Sequence, residues 1–263
     1  RPQVRHFEPY LPGKPIAEVQ RELGLKKIVK LASNENAIGT SPKAAAAVRN
    51  SARDFFRYPE GPGTLLRRAI AEKLRVKPSQ VILGAGSDEI IELLGKTYLS
   101  PGDEIIVSEH AFIRYKMAAD LMGAKTVSVR MKNYTHDLDA MADKVNRRTK
   151  AIFIANPNNP TGTYVDSAAV RRFFGKLKSR AASSAKNPLP FIVFDEAYFE
   201  YAHALAPDYP DTLAYLKQGF NVIVLRTFSK IFGLAGLRVG YGIGPVKSME
   251  PKDRVRPPFN VSS

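Results

Sequence analysis

Four short stretches of the chain carry side chains suited to chemistry rather than to packing. Lys230 stands alone among hydroxyl and apolar residues in "TFSKIFGLAGLRVGYGIG", ahead of a glycine-spaced run that ends in Arg238. An amine there, partly withdrawn from water and near other positive charge, has a lowered pKa and can serve as nucleophile or base. The plainer reading is a solvent-exposed loop lysine. Asp195 follows the apolar "FIVF" and opens "DEAY". A carboxylate at the end of a buried strand needs a partner, and a structural ion pair or a helix cap would serve as well as a ligand. Asn159 sits in "NPNNPTG", all turn formers, where two prolines can also hold an amide side chain rigidly at a strand's edge. The stretch "GAGSDE", Gly84 to Glu89, opens a helix with small residues. That suits an anion at a helix N-terminus, and it equally suits an ordinary helix start, because the third glycine of a dinucleotide fingerprint is missing.

Read together, the four sites converge. An amine nucleophile, an acid able to face a pyridinium nitrogen, a neutral donor for a phenolate and an anion cradle completed by an arginine are what pyridoxal 5'-phosphate requires.

The elements that must position these groups follow from apolar periodicity. "VILGAG", "EIIVSE", "TVSVRM", "AIFIANP", "FIVFDEAY", "NVIVLRTF" and "RVGYGIG" read as strands. "TLLRRAIAEKLR", "DEIIELLGKTYL", "IRYKMAADLMG" and "SAAVRRFFGKLKSR" read as amphipathic helices between them. Such alternation predicts an α/β fold: a three-layer α-β-α sandwich around a mainly parallel, seven-stranded sheet. Ligands in such sheets collect at the carboxyl ends of the strands, where all four stretches lie. Residues 1–40 read as an irregular arm, punctuated by Pro9, Pro12 and Pro15. Ser41-Pro42 caps the next helix. Residues 41–245 form the large domain. Residues 246–263, with Pro251, Pro257 and Pro258, loosen into the start of a further C-terminal region. Only "AASSAKNP", residues 181–188, reads as a low-complexity loop.

Composition narrows the class. At 263 residues with 44% hydrophobic content, the chain can bury a core. No apolar run approaches the ~18 residues of a membrane span, and "RPQVRHFEPY" lacks the layout of a signal peptide, so the expectation is a soluble, cytoplasmic protein without membrane contact. There are no cysteines, and the four histidines (His6, His110, His136, His203) lack ligand spacing. The net charge of +15 is spread along the chain. Its densest part, "RRFFGKLKSRAASSAK", reads as a helix with Phe173 and Phe174 inward and charges in water. No nucleic-acid-binding signature accompanies it, so no nucleic-acid partner is expected.

Seven blocks, in order, complete the reading: "YLPGKPIAEVQRELG", "KLASNENAIGTSP", "RYPEGPG", "GAGSDEII", "NPNNPTG", "FDEAY" and "TFSKIFGLAGLRVGYGI". With them the chain resembles the fold-type-I pyridoxal-phosphate aminotransferases, and among these the histidinol-phosphate aminotransferase family. The resemblance implies that Lys230 bonds to the cofactor aldehyde and then shuttles the substrate proton, and that Asp195 keeps the ring nitrogen protonated. It implies that Asn159 and Tyr198 bind the phenolic oxygen and that Phe112 stacks on the ring. Backbone amides of Ser87 and Asp88, the Ser229 hydroxyl and Arg238 would bind the phosphate, with Thr227 a weaker candidate. Tyr58 would reach the site of a partner subunit, implying a homodimer. The N-terminal arm would close over the site, and "RVGYGIG" would be the antiparallel strand. The implied substrates are L-histidinol phosphate and 2-oxoglutarate, converted to imidazole-acetol phosphate and L-glutamate in histidine biosynthesis. Family members continue beyond "RPPFNVSS" into a C-terminal domain with substrate-binding arginines, so that domain is expected to be absent here. Aromatic amino-acid transamination is the alternative within the same superfamily, and a cofactor-binding interaction module the alternative outside catalysis.

Overall fold

The computed structural model describes residues 3, 5, 7–11, 13–183 and 189–262. The sequence readings placed on His6, Pro12 and residues 184–188 lie outside these. The strands are β1 (Val81–Ala85), β2 (Glu104–Ser108), β3 (Lys125–Val129), β4 (Thr149–Ala155), β5 (Phe191–Asp195), β6 (Val222–Thr227) and β7 (Val239–Ile243). They form one sheet in the order β1-β7-β6-β5-β4-β2-β3. Neighbours are parallel except where β7 pairs antiparallel with both β1 and β6. All seven apolar runs are therefore strands of one mainly parallel sheet.

Helices cover both faces, and strand alternation decides which side chain goes where. In β6, Val222 and Val224 join one buried cluster while Ile223 and Leu225 join the other. In β4, Ile152 and Ile154 share the first cluster, and Ala151, Phe153 and Ala155 the second. The first face is covered by α3 (Thr64–Leu74), α6 (Leu138–Asp143), α7 (Ser167–Ser183) and α9 (Thr212–Lys217). The second is covered by α4 (Gly86–Tyr98), α5 (Ile113–Met122) and α10 (Val246–Val255). Phe173 and Phe174 of α7 are buried, and Arg171 and Arg172 beside them are exposed, as the helical spacing requires.

The glycine spacing of β7 has a packing cause. A Cβ at Gly240 would lie 2.4 Å from the Ser87 nitrogen, and one at Gly244 2.5 Å from the Met249 methyl carbon. The absence of side chains lets the first turn of α4 settle onto the sheet at Gly240, and α10 pack close to the residue after β7 at Gly244.

Three local expectations need correction. The arm is not wholly irregular: α1 (Ile16–Leu23) forms in it, starting after Pro15 and ending at Gly24 with φ 63. Its prolines precede the helix and leave eight residues without a breaker. The stretch after residue 245 is not loose either. Helix α10 runs through Pro251 and buries Ser248, Met249 and Lys252 against α4 and β1. Proline forfeits one internal hydrogen bond there, which this burial offsets. Finally, α2 (Pro42–Ser51) starts where expected, but the Ser41 side chain makes no capping bond. The remaining helix, α8 (Phe199–Leu205), follows the "DEAY" stretch.

Candidate active site

The carboxyl ends of β1, β4, β5 and β6, the first turns of α4 and α5 and the arm surround an open cleft of about 510 Å³. Ten of the eleven candidate residues line it: Lys230, Asp195, Tyr198, Asn159 and Phe112, with Ser87, Asp88, Thr227, Ser229 and Arg238. Tyr58 does not; it is 81% exposed and stacks on Phe259 at 4.7 Å between ring centroids.

One end of the cleft is built of donors. Helix α4 begins at Gly86, whose N–H donates to the Arg238 carbonyl at 3.0 Å, while the Ala85 N–H donates to Glu89 Oε2 at 2.6 Å. The N–H groups of Ser87 and Asp88 belong to the first turn, where a helix offers them no internal acceptor, and the positive end of the helix dipole lies there. Arg238, in the left-handed region at φ 53, brings its guanidinium 3.4 Å from the Ser229 hydroxyl. Thr227 is buried, and its hydroxyl is engaged within the turn, accepting from the Ser229 N–H at 3.1 Å and lying 3.3 Å from the Val239 carbonyl. The Asp88 carboxylate turns aside to pair with Arg114 at 2.6 Å.

The other end is acidic. Asp195, 5% exposed, ends β5. Its Oδ2 accepts from the Tyr115 hydroxyl at 2.7 Å and its Oδ1 from the Ala197 N–H at 3.3 Å. Burial pushes its pKa up to about 6. The two donors and the Lys230 charge pull back against that rise, and the Asp88 charge adds to it. At neutral pH the group is predominantly ionised.

Between the two ends stands Lys230, half-buried, its ammonium 3.1 Å from the Ser33 carbonyl. Burial, and then the Arg238 charge, lower its pKa, while Asp195 and Glu35 act the other way. Both requirements for a reactive amine, partial desolvation and a cationic neighbour, are met. The arm straps this loop in place. Asn36 Nδ2 donates to the Ile231 carbonyl at 2.8 Å and Thr40 Oγ1 to the Gly233 carbonyl at 2.6 Å. Gly233 allows the approach, since a Cβ there would stand 2.3 Å from the Gly39 oxygen. Ser33 and Asn34 take left-handed φ values of 70 and 49 to cross the cleft, and Asn34 Nδ2 donates to the Tyr198 hydroxyl oxygen at 2.8 Å.

The loop carrying Asn159 is held by its neighbours. The Asn156 side chain exchanges two hydrogen bonds with the Val165 backbone, at 2.9 and 3.1 Å. Asn158 Nδ2 donates to the His110 carbonyl at 2.9 Å. Asn159 lines the cleft wall, as do Pro157 and Tyr198.

Sequence reading missed Tyr115, Asn34 and Arg114, which also line the cleft. Tyr115 looks like a core aromatic in a helix. Asn34 and Arg114 carry no signal beyond their polarity, because their positions depend on how the arm and α5 dock.

Residues 26–263 match the family described as Aminotransferase class I and II. The chain belongs to this family. Among aminotransferases with curated names, it is 47% identical over 263 residues to the histidinol-phosphate aminotransferase of Moorella thermoacetica, covering 100% of this chain and 65% of that protein. It is 48% identical over 262 residues to that of Anaeromyxobacter, covering 99% of this chain and 69% of the relative. The chain thus spans about two thirds of the length of these relatives. Among solved structures, histidinol-phosphate aminotransferase from Sinorhizobium meliloti in complex with pyridoxal-5'-phosphate superposes with a TM-score of 0.85 at 26% identity, covering 99% of this chain and 67% of that one. Aspartate aminotransferase from Thermus thermophilus shares the fold, with a TM-score of 0.80 at 22% identity over 100% of this chain and 69% of that one.

Proposed function

We propose that the cleft binds pyridoxal 5'-phosphate and that the protein is a histidinol-phosphate aminotransferase. On this reading it interconverts L-histidinol phosphate and 2-oxoglutarate with imidazole-acetol phosphate and L-glutamate, in L-histidine biosynthesis in the cytoplasm. The observation that carries the reading is the single cleft in which a half-buried lysine lies between a cradle of donors and a buried carboxylate.

The residues fit the cofactor. A Cβ at Gly86 would lie 2.6 Å from Arg238 Nη2, so glycine keeps open the space in which the guanidinium, the Ser229 hydroxyl and the first turn of α4 converge. Those groups are the donors a phosphate dianion requires. At the opposite end an ionised Asp195 suits a protonated ring nitrogen. Phe112, an aromatic at the start of α5, offers a face for stacking, and Asn159 and Tyr198 offer polar groups for the ring oxygen.

When bound, the cofactor supplies an aldehyde carbon that takes up the amino group and a ring that accepts the electron pair released at the substrate α-carbon. The chain supplies the rest. Lys230 would provide the amine that holds the aldehyde and, once displaced, would take the proton from the substrate α-carbon and hand it to the former aldehyde carbon on the other side of the transferred nitrogen. Asp195 holds the ring nitrogen's proton in place. Arg238, Ser229 and the first turn of α4 fix the phosphate, so that the amine and the α-carbon meet in a set geometry. The arm, lying across Lys230 through Ser33 and Asn34, limits water at the reacting amine. Residues 41–245 form the cofactor domain in this scheme. The exposed Tyr58 supports a homodimer in which its hydroxyl serves the neighbouring subunit.

The substrate assignment draws on the relatives' names and is tested by comparing amino donors. Protein loaded with pyridoxal phosphate should convert histidinol phosphate with 2-oxoglutarate at a kcat/KM at least roughly tenfold above that for phenylalanine. The reverse preference would make it an aromatic amino-acid aminotransferase. Cofactor binding without transfer from either donor would make it a binding module.

A further inference from the structure

Tyr115 is a conspicuous tyrosine for a core position. Its ring is 1% exposed and held on two sides, stacked on Phe153 at 4.7 Å and edge-on to Phe112 at 5.8 Å. A phenylalanine would make both contacts. The hydroxyl has another use, because it reaches the end of β5 and meets Asp195 Oδ2 at 2.7 Å.

We propose that Tyr115 is a positioning residue for Asp195: its hydroxyl donates to one carboxylate oxygen, fixing the group's orientation and holding it in the ionised form that faces the cleft. The proposal rests on the cofactor reading of the cleft and adds to it the residue that readies the carboxylate before any ligand arrives.

The direction of the hydrogen bond follows from charge. Burial, and then the Asp195 charge, raise the Tyr115 pKa well above its ordinary value, so the phenol keeps its proton and donates. Of the other groups around the carboxylate, Asp88 on α4 disfavours ionisation and Lys230 beyond β6 favours it. The Ala197 N–H, on the turn after β5, makes a longer bond of 3.3 Å to Oδ1. Tyr198 donates nothing to Asp195 in the structure; its hydroxyl oxygen accepts from Asn34. Among the described residues, Tyr115 is therefore the short donor to this carboxylate. Phe112 and Tyr115 stand three residues apart in the first turn of α5, so one helical turn sets the ring-stacking aromatic beside the residue that holds the acid.

The test is Tyr115→Phe, with its thermal midpoint taken to confirm folding. In cofactor-free protein carrying ¹³C-labelled aspartate, with the Asp195 signal assigned by its loss in Asp195→Asn, the wild-type carboxyl should titrate at about 6. In the variant the midpoint should move up by about one to two units. The dissociation constant for pyridoxal phosphate at pH 7 should rise about two- to tenfold, with the gap narrowing above the variant's own midpoint. Should Tyr115→Phe not fold, 3-fluorotyrosine at this position is a stronger donor and should move the midpoint down. Equal midpoints in wild type and variant overturn the proposal; if both bind the cofactor equally well, the reading of the cleft survives. A shifted midpoint in proteins that bind no pyridoxal phosphate supports the Tyr115–Asp195 coupling and sinks the cofactor reading instead.

Discussion

Asp195 and Glu196 are adjacent in the chain, yet their carboxylates take partners on opposite sides of the sheet. Asp195 receives the Tyr115 hydroxyl from α5, at 2.7 Å. Glu196 pairs with the buried Arg226 through two contacts, at 2.8 and 2.9 Å, and accepts from Thr212 of α9 at 2.5 Å. The alternation of an extended chain separates the acid that lines the cleft from an ion-paired one within a single step. The structural pair stitches the ends of β5 and β6 together beneath the cleft. Among the described residues, Asp195 is left with hydroxyl and amide donors and no cation in direct contact.

Glu196→Gln leaves the Arg226 guanidinium buried over the Phe199 ring, 3.5 Å from its centroid, without the carboxylate it pairs with and with only the Glu200 charge nearby. The expected loss of unfolding free energy is on the order of 3 kcal/mol, read as a lower denaturant midpoint with an unchanged slope.

Asp195→Asn should do the opposite to the cofactor-free protein. Burial raises the Asp195 pKa from 3.8 in the unfolded chain to about 6 in the fold. A raised value means that stability is complete below pH 4 and is lost as pH climbs through 6. Asparagine removes that loss. The variant should match wild type near pH 4 and exceed it above pH 7 by on the order of 2–3 kcal/mol, while its affinity for pyridoxal phosphate falls. Thermal scans of both proteins across this range check the sign.

Gly240→Ala introduces a methyl 2.4 Å from the Ser87 nitrogen and 2.5 Å from the Gly86 carbonyl carbon, both backbone atoms. The first turn of α4 must shift. Stability should fall by about 1–3 kcal/mol, and pyridoxal-phosphate affinity should fall roughly tenfold or more with the misplaced amides. Gly175→Ala, on α7, meets nothing within 4 Å and should raise stability by about 0.5–1 kcal/mol without touching affinity.

Lys252 introduces a pH dependence of its own. The residue is fully buried, its ammonium donates to the Ser248 carbonyl, and it lies 4.7 Å from the centroid of the Tyr98 ring. Burial lowers its pKa from 10.5 to about 7. A lowered value means that stability is fully present above pH 10.5 and is lost as pH falls through 7. Lys252→Met keeps the apolar stem and removes the titrating group. It should flatten the stability profile between pH 7 and 10 and gain on the order of 2–4 kcal/mol at pH 7.

Long, periodic apolar runs were legible in the sequence, because burial on both faces forces them, and all seven became strands. The antiparallel direction of β7 came only with the family resemblance; nothing in "RVGYGIG" itself encodes direction. Helices α6, α8 and α9 escaped notice because six or seven residues show too little periodicity, and α10 because Pro251 interrupts its pattern. Lys230, Asp195, Asn159 and the Ser87–Asp88 turn were readable because each follows an apolar strand or opens a helix, whereas Phe112, Tyr198, Thr227, Ser229 and the role of Arg238 came with the family resemblance. Tyr115 was not readable, since its partner lies 80 positions away and only the β5–α5 packing brings the two together. The use of Glu196 in an ion pair, beside an acid that has none, likewise depends on which strand face each residue occupies.

In the proposed function Lys230 is the reactive amine. Incubation with pyridoxal phosphate, reduction with borohydride and peptide mapping test it directly, because reduction fixes the bonded amine as a stable adduct. Stoichiometric label is expected on the peptide containing Lys230, and it should be lost in Lys230→Ala. Label spread over surface lysines, or concentrated on another lysine such as Lys252, would contradict it.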